Sequence, residues 1–517
     1  MTDFRLRRLR VFAKGALSGL LLAFAFPPLN LFPLAFVGLV PVLWTLDDLA
    51  VHGRGRPLRE WSGRAFGLGF SCAFAYFLAL IWWIVMLDAP ALTIPWVRYP
   101  GVVALVGYLA LYFGFFGVAY AWIRARTAVH PVVVAPALWV VADVARGYWE
   151  LGFPWGHLGY SQAHFLPALQ MASVTGVHGM TAWLVICNAL LLRALRPGHG
   201  NRVLSGVALV GIVAVPIFLG WQRIQEPIDA PTIRVALVQP NIGNKEKWAA
   251  DRRAEHFESM ADLSRQGVAQ GAELVVWPET AAPTYLLRDQ KWRPWILDFA
   301  GELGRPLFIG FPDIERLGPN EVKYANSGAL FVPPGAVAGK MDKIKLVPFG
   351  ERLPFDQVFP ILKKVDFGEA DFTPGDAPVV LDVNGTTFGA LICFEAIYPK
   401  FCRQHEAGGI DLFVTITNDS WFGAGSGARQ HADMAVTRCV ETGLGMARAA
   451  NSGISLGADA YGRTFGETGL FTREVSVVDV PLRQGRTFYA RTGDWAVTIS
   501  VLASLALLVS AWIRRKG

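Results

Sequence analysis

Charge is what this sequence has least of. Only 17% of its 517 residues are Asp, Glu, Lys or Arg, against about a quarter in an ordinary soluble domain, while 53% are hydrophobic. Those proportions exclude a conventional soluble protein over the whole length. Cysteine is also scarce. Three of the five (Cys393, Cys402 and Cys439) fall in the polar stretch 232–485, too few for a disulfide framework and unneeded by a large core. Zinc-type ligand spacing, a phosphate-binding glycine loop and a dinucleotide fingerprint are all missing, so neither a metal nor another cofactor is expected. The net charge of +7, with a pI near 9.2, is not gathered on a face suited to phosphates. It sits in short runs beside hydrophobic segments: "RLRRLR" at 5–10, "RGRPLREWSGR" at 54–64, "IRARTAVH" at 123–130 and the terminal "IRRKG". That is the pattern of cytoplasmic loops, and nucleic acid is not an expected partner.

The apolar residues form segments of the roughly 17–25 residues needed to cross a ~30 Å hydrocarbon core. Candidates lie at 11–27, 31–47, 65–87, 102–123, 131–146, 177–195, 203–221 and 494–513. The second and fifth are short, and the fifth carries Asp143, which a span would turn towards a protein interior or cavity. With the N-terminus in the cytoplasm, Arg54, Arg56, Arg59, Arg64, Arg124, Arg126, Arg193, Arg196 and Arg202 fall inside, and little beyond Arg98 and Arg146 falls outside. Both termini are then cytoplasmic, and the polar stretch after seven spans faces the periplasm of a host with two membranes. "AFA" at 23–25 resembles a signal-peptide cleavage site, but Phe26, Pro27 and Pro28 are an unfavourable context, and an uncleaved first span is expected. The expected domains are a membrane domain over 1–225, an extramembrane domain over 230–486, and a last span with a basic tail over 490–517.

From Thr232 the pattern turns to strands alternating with helices. "TIRVALVQPNI", "AELVVWPET", "RPLFIGFPDI" and "IDLFVTITNDSWFG" read as strands, and "RRAEHFESMADLSRQGVAQG" as a helix. "NSGALFVPPGAVAGK" reads as a hairpin, as does "PVVLDVNGTTFGALICFEAIYP" about Asn384-Gly385, and "NSGISLGADAYGRTFGETG" is hairpin-like. A layered α/β fold with a mixed sheet is expected. Glu279, Cys393 and Asn418-Asp419 stand at strand ends, where such folds place their chemistry.

Cys393, in "GALICFEAIYP", has three readings: a small buried hydrophobe, a disulfide partner of Cys402 or Cys439, or a nucleophile. A nucleophile needs a base or cation nearby, and no obvious histidine partner stands out. His405 and His431 read as solvated or structural. "WPET" offers Glu279, and "GKMDKIKLVPFGE" offers Lys343, Lys345 and Glu351, whose plainer reading is a charged loop.

"LVVWPET", "MDKIKLVPFGE" and "GALICFEAIYP", in that order, resemble the Glu, Lys and Cys blocks of the nitrilase (carbon–nitrogen hydrolase) superfamily. With the flanking spans, "VQPNIGNKEKW", "FPWGHLGYSQ" and "NDSWFG", the whole chain resembles that superfamily's membrane-embedded branch, the apolipoprotein N-acyltransferases of the bacterial inner membrane. The resemblance implies a polytopic helical membrane domain carrying a periplasmic α-β-β-α sandwich. It makes Glu279 the general base, Lys343 the catalytic lysine and Cys393 the nucleophile, with Glu351, Glu395, Phe394 and Trp248 supporting. Phe394 departs from the tyrosine expected there, keeping the ring and losing the hydroxyl. Lys345 replaces a frequent histidine and reads as a structural or surface cation.

The implied reaction moves an acyl chain from a phospholipid, through a Cys393 thioester, to the N-terminal amine of a diacylglyceryl-cysteine apolipoprotein. Both substrates and the surrounding membrane lipids are thus the expected partners, and the enzyme is expected to work as a monomer. The stretch 353–372, with Phe355, Val358, Phe359, Ile361 and Leu362, reads as a membrane-facing arm or as ordinary packing. Two alternatives stay open: a membrane-anchored amidase using water as acceptor, and a non-enzymatic transporter or lipid-binding scaffold.

Overall fold

The computed structural model describes residues 2–87, 96, 98–196, 201–318, 321–355 and 371–514, with side chains from residue 11 onward. They divide into two compact units. One is drawn from the chain up to Val85, from Trp96–Glu226 and from Thr492 onward; the other is chiefly Pro227–Arg491.

The first unit is helical. Among the described residues, six helices are long and apolar enough to cross a membrane: Phe32–His52, Ser62–Leu80, Arg98–Arg126, Ala172–Leu195, Arg202–Gln225 and Trp495–Ile513. Val11–Ala23 and Pro131–Ala145 are apolar but shorter. The second expected segment is therefore not short: a 3-10 turn at Phe32–Phe36 leads into Val40–His52 and extends it to 21 residues. Small residues bring the helices together. A Cβ on Gly69 would lie 2.0 Å from the Phe113 carbonyl, and one on Gly117 2.3 Å from the Ala65 carbonyl, so these positions exclude any side chain. Asp143 does turn inward: it is buried, accepts from Arg146 Nε at 2.9 Å and lies 3.0 Å from His157 Nδ1. Val203, Val207 and Val210 of Arg202–Gln225 are by contrast largely exposed, an apolar surface suited to lipid.

The second unit is a four-layer α-β-β-α sandwich. Its strands are β1 (Thr232–Gln239), β2 (Leu274–Val276), β3 (Leu307–Arg316), β4 (Val322–Val332), β5 (Ala336–Asp342), β6 (Val380–Val383), β7 (Thr386–Ile392), β8 (Leu412–Thr417), β9 (Gly445–Ala450), β10 (Leu456–Ala458), β11 (Thr464–Phe465) and β12 (Glu474–Pro481). Two mixed sheets of six form, in the orders β12-β1-β2-β3-β4-β5 and β11-β10-β9-β8-β7-β6. Their facing surfaces share one apolar core, including Val235, Leu237 and Phe308 from the first sheet and Phe388, Ile392, Val414 and Ala449 from the second. Helices Arg253–Ala269 and Trp292–Leu303 cover the outer face of the first sheet, packing Phe257, Met260, Ile296 and Phe299 on Ala236, Val275 and Ile309. Helices Pro399–Ala407 and Gly427–Thr442 cover the second through Cys402, Ala435 and Cys439. With both faces covered, the central strands carry continuous apolar runs, as "VALV" at 235–238 and "LFV" at 412–414 show.

Both hairpins form as expected. β4 and β5 pair across Pro333-Pro334-Gly335, and β6 and β7 across Asn384-Gly385, whose φ values of +54° and +89° are the two left-handed residues of a type I′ turn.

Candidate active site

Three strands deliver the expected residues. β2 ends at Val276, and Glu279 stands three residues on, before Thr280 at φ +48°, a conformation rare for a β-branched residue. Gly310 of β3 makes room for this turn: a Cβ there would lie 2.6 Å from the Pro278 carbonyl and 2.8 Å from Glu279 Cα. Lys343 follows β5 directly, its backbone N–H donating to the Asn326 carbonyl at 2.8 Å. Cys393 follows β7 directly at φ +53° and begins a 3-10 turn, Cys393–Ile397.

Glu279 and Lys343 are buried and meet there. Lys343 Nζ donates to Glu279 Oε1 at 3.1 Å and to Glu351 Oε1 at 2.8 Å. Asn326 Nδ2 bridges the same two oxygens at 2.8 Å each. The Asn418 N–H donates to Glu279 Oε2, and the Val347 N–H to Glu351 Oε2, at 2.8 and 2.9 Å. Burial alone would raise the Glu279 carboxyl, but the Lys343 ammonium, Asn326 and the Asn418 N–H together hold it below its ordinary value. Burial alone would lower Lys343, yet the carboxylates of Glu279 and Glu351 hold it well above the usual lysine range. The buried pair is thus fixed as carboxylate and ammonium.

Cys393 keeps some exposure, yet burial of its thiol, followed by the negative charge of Glu279, raises it far above an ordinary cysteine. Lys343 and the Thr417 hydroxyl oppose that rise, and Asp419 adds to it. Glu279 and Lys343 are thus within electrostatic reach of this thiol, the first raising it and the second lowering it. A carboxylate can serve such a thiol as a base, and an ammonium suits a developing oxyanion.

Glu395 ties the Lys343 loop to the Cys393 turn. Its carboxyl accepts from the N–H groups of Ile392, Ile344 and Lys345 at 2.8, 2.6 and 3.2 Å. Burial pushes it up to about 7 against those donors. Phe394 is buried, its ring edge-on to Tyr398 with centroids 5.3 Å apart, and Lys345 Nζ stands 5.5 Å over the same Tyr398 ring, a structural cation. Trp248 stands 52% exposed just after the short helix Asn244–Lys247. Of the expected arm, Phe355 is half-buried at φ +62°, and Phe359 and Leu362 lie outside the described residues.

Lys247 and Asn326 were not singled out from the sequence. Lys247 is buried and donates to the Glu279 carbonyl at 3.3 Å and to Thr280 Oγ1 at 3.1 Å; burial lowers it to about 8, against the pull of Glu279. Asn326 carries a signal: it is a lone amide in the run "YANSGALFV", and a polar side chain inside a central strand needs buried partners. His405 and His431 are both buried rather than solvated, and burial takes His405 down to about 4.

Comparison with known proteins agrees with this architecture. Residues 18–190 match the apolipoprotein N-acyltransferase N-terminal domain, and residues 234–489 match carbon-nitrogen hydrolase. The chain is 36% identical to the apolipoprotein N-acyltransferase of Geobacter metallireducens, covering 100% of this chain and 98% of the relative. It is 30% identical to that of Chlorobaculum tepidum, covering 96% and 95%. Among solved structures, an amidase from Nesterenkonia sp. is similar over 53% of this chain and 97% of its own, at 21% identity and a TM-score of 0.40.

Proposed function

The chain belongs to the apolipoprotein N-acyltransferase family, and on that premise we propose that it moves an acyl chain from a phospholipid to the N-terminal amine of a diacylglyceryl-cysteine lipoprotein, the last step of lipoprotein maturation. It is an acyltransferase and a membrane protein. The observation that carries the finer reading is the buried Glu279–Lys343 pair acting on the thiol of Cys393.

In the first half-reaction the Glu279 carboxylate takes the thiol proton and the Cys393 sulfur attacks the phospholipid ester carbonyl. Lys343, its ammonium held by Glu279 and Glu351, stabilises the oxyanion. The ester C–O bond breaks, the leaving lysophospholipid oxygen takes the proton from Glu279, and an acyl-thioester remains. In the second, the lipoprotein amine attacks the thioester, Glu279 removes the amine proton, the C–S bond breaks and the thiol is restored. Two half-reactions through one covalent intermediate give ping-pong kinetics.

The membrane unit fits the substrates. Each CH₂ withdrawn from lipid into water costs about 0.8 kcal/mol, so an enzyme acting at the bilayer surface avoids extracting a long chain. The proposal places the membrane domain at 1–225 and 490–517, both termini in the cytoplasm, and the catalytic domain at 230–486 in the periplasm, working as one chain. The stretch containing Phe355, Phe359 and Leu362 serves as its membrane-facing arm; Phe359→Asp should lower lipid contact and activity, and unchanged values for both remove the arm from the account.

Steady-state rates over both substrates test the reaction class. Parallel double-reciprocal lines, with a diacylglyceryl-cysteine peptide discharging the enzyme far faster than water, are expected. Intersecting lines exclude the ping-pong scheme, and discharge by water as fast as by peptide makes the enzyme an amidase-type hydrolase.

A further inference from the structure

Behind the proposed nucleophile lies a buried polar cluster that takes no part in those proton transfers. His431, on the helix Gly427–Thr442, is 1% exposed, and its Nε2 lies 3.1 Å from the Cys393 carbonyl oxygen. A carbonyl only accepts, so Nε2 carries a hydrogen and donates it. The other ring nitrogen, Nδ1, sits 3.0 Å from Asp419 Oδ1 and 3.2 Å from Arg448 Nη2. Asp419 is fixed in turn: Thr417 Oγ1 donates to Oδ1 and Arg448 Nη2 to Oδ2, each at 2.8 Å. Burial would raise this carboxyl, but Arg448 and His431 hold it at about 2, a permanent anion behind the ring.

Gly453 completes the fit, since a Cβ there would lie 2.3 Å from Asp419 Oδ2. The turn after β8, the helix Gly427–Thr442 and β9 supply no member of the Glu279–Lys343–Cys393 set. Yet they aim three buried side chains, in series, at one backbone atom of Cys393. That residue holds φ +53°, a conformation a non-glycine residue keeps only when its surroundings over-determine it.

We propose that His431 is a positioning residue for acyl transfer: its Nε2–H clamps the Cys393 carbonyl, keeping the nucleophile in its left-handed turn with the sulfur presented to Glu279 and Lys343, while Asp419 and Arg448 set the ring. The inference rests on Cys393 being the nucleophile. A clamp on the carbonyl governs the direction of the sulfur. A carbonyl attack that needs alignment should therefore suffer more than alkylation by a small reagent, which needs little.

The test uses full-length enzyme in detergent–phospholipid micelles and compares wild type, His431→Leu, His431→Gln and Cys393→Ala. Thioester formation is followed by intact mass in single turnover, alongside iodoacetamide alkylation and thermal unfolding. His431→Leu should form thioester ~10²-fold more slowly with KM for phospholipid unchanged, the scale of loss expected when a reacting group is misplaced by about 1 Å. Alkylation should stay within about threefold of wild type, and His431→Gln, whose amide retains a donor for the carbonyl, should recover about tenfold of the lost rate. Thioester formation in His431→Leu within about threefold of wild type, or a glutamine variant no better than leucine, overturns the proposal. Should His431→Leu fail to fold, Asp419→Asn carries the test: it keeps the side-chain shape, and slower thioester formation at unchanged KM is expected, whereas a wild-type rate overturns the clamp. Absence of the adduct from wild type, or its presence on Cys393→Ala, would instead remove the nucleophile itself, so the two failures are distinct.

Discussion

Glu279 and Lys343 share one hydrogen bond and oppose each other in charge, and that opposition keeps each in the form the proposed chemistry needs. Glu279→Gln removes the base and turns an amide NH₂ towards a site lined by the donors Lys343, Asn326 and the Asn418 N–H, and should slow thioester formation ~10²–10⁴-fold, measured in single turnover. The sign of the pH dependence follows from the lowered carboxyl. Folding favours its ionised form, so base and ion pair persist as pH falls through 4.5, the ordinary value, and are lost only below it. The acid limb of kcat/KM for acylation is therefore expected below pH 4.5, and a limb at or above that value contradicts the assignment. Lys343→Ala removes an oxyanion donor at a cost of ~10²–10³ in rate. It also leaves two carboxyl groups facing one another without their cation, so the acid limb should move upward in that variant. The thiol behaves in the opposite sense: because burial raises Cys393, alkylation by iodoacetamide should be slow at neutral pH and still climbing past 9.0, the ordinary thiol value. A plateau near neutral pH would mean a thiolate at rest.

Two glycines separate what holds an element together from what aims a residue. Gly385, at φ +89° in the β6–β7 turn, has open space around its missing Cβ. Gly385→Ala should cost about 1–2 kcal/mol through backbone conformation alone, lowering Tm while leaving thioester formation per folded molecule unchanged. Gly310→Ala also destabilises, by about 1–3 kcal/mol, but pushes on Pro278 and Glu279 and should lower the acylation rate of the folded fraction. Equal effects of the two on acylation would contradict the placement of the Glu279 turn.

These elements also show what the sequence made legible. The Asn384-Gly385 hairpin and the strands ending at Glu279, Lys343 and Cys393 could be read because turn chemistry and apolar runs are local. Asn326 could not be assigned, because its role depends on the register that sets β4 beside both β3 and β5. His431 was read as solvated or structural because it reaches Cys393 from 38 residues away, across helix and sheet. Lys247 was hidden for the same reason, 32 residues from the turn it holds.

On the scale of the whole molecule, composition reported two different solvents. Segments with few charges became a helical unit with glycine-mediated contacts and an apolar outer surface, and the polar stretch became the sandwich. Helix lengths were less legible than helix positions: Pro131–Ala145 is short, as expected, whereas the segment near 31–47 gains length from a 3-10 turn that periodicity does not register. The proposed orientation follows from the arginines flanking the spans. Arg56→Cys and Arg305→Cys, each exposed, report it with a membrane-impermeant maleimide on intact cells made permeable only at the outer membrane. Arg305→Cys should label and Arg56→Cys should not; the reverse would invert the topology.

In the proposed reaction Cys393 carries the acyl chain. The most direct test of that role is the intact mass of the full-length protein after incubation with phospholipid, before and after neutral hydroxylamine, beside Cys393→Ala. Wild type should gain an acyl mass that hydroxylamine removes, that the alanine variant never shows and that a diacylglyceryl-cysteine peptide discharges. A folded wild-type protein that gains no such mass, or an adduct that survives on Cys393→Ala, would contradict it.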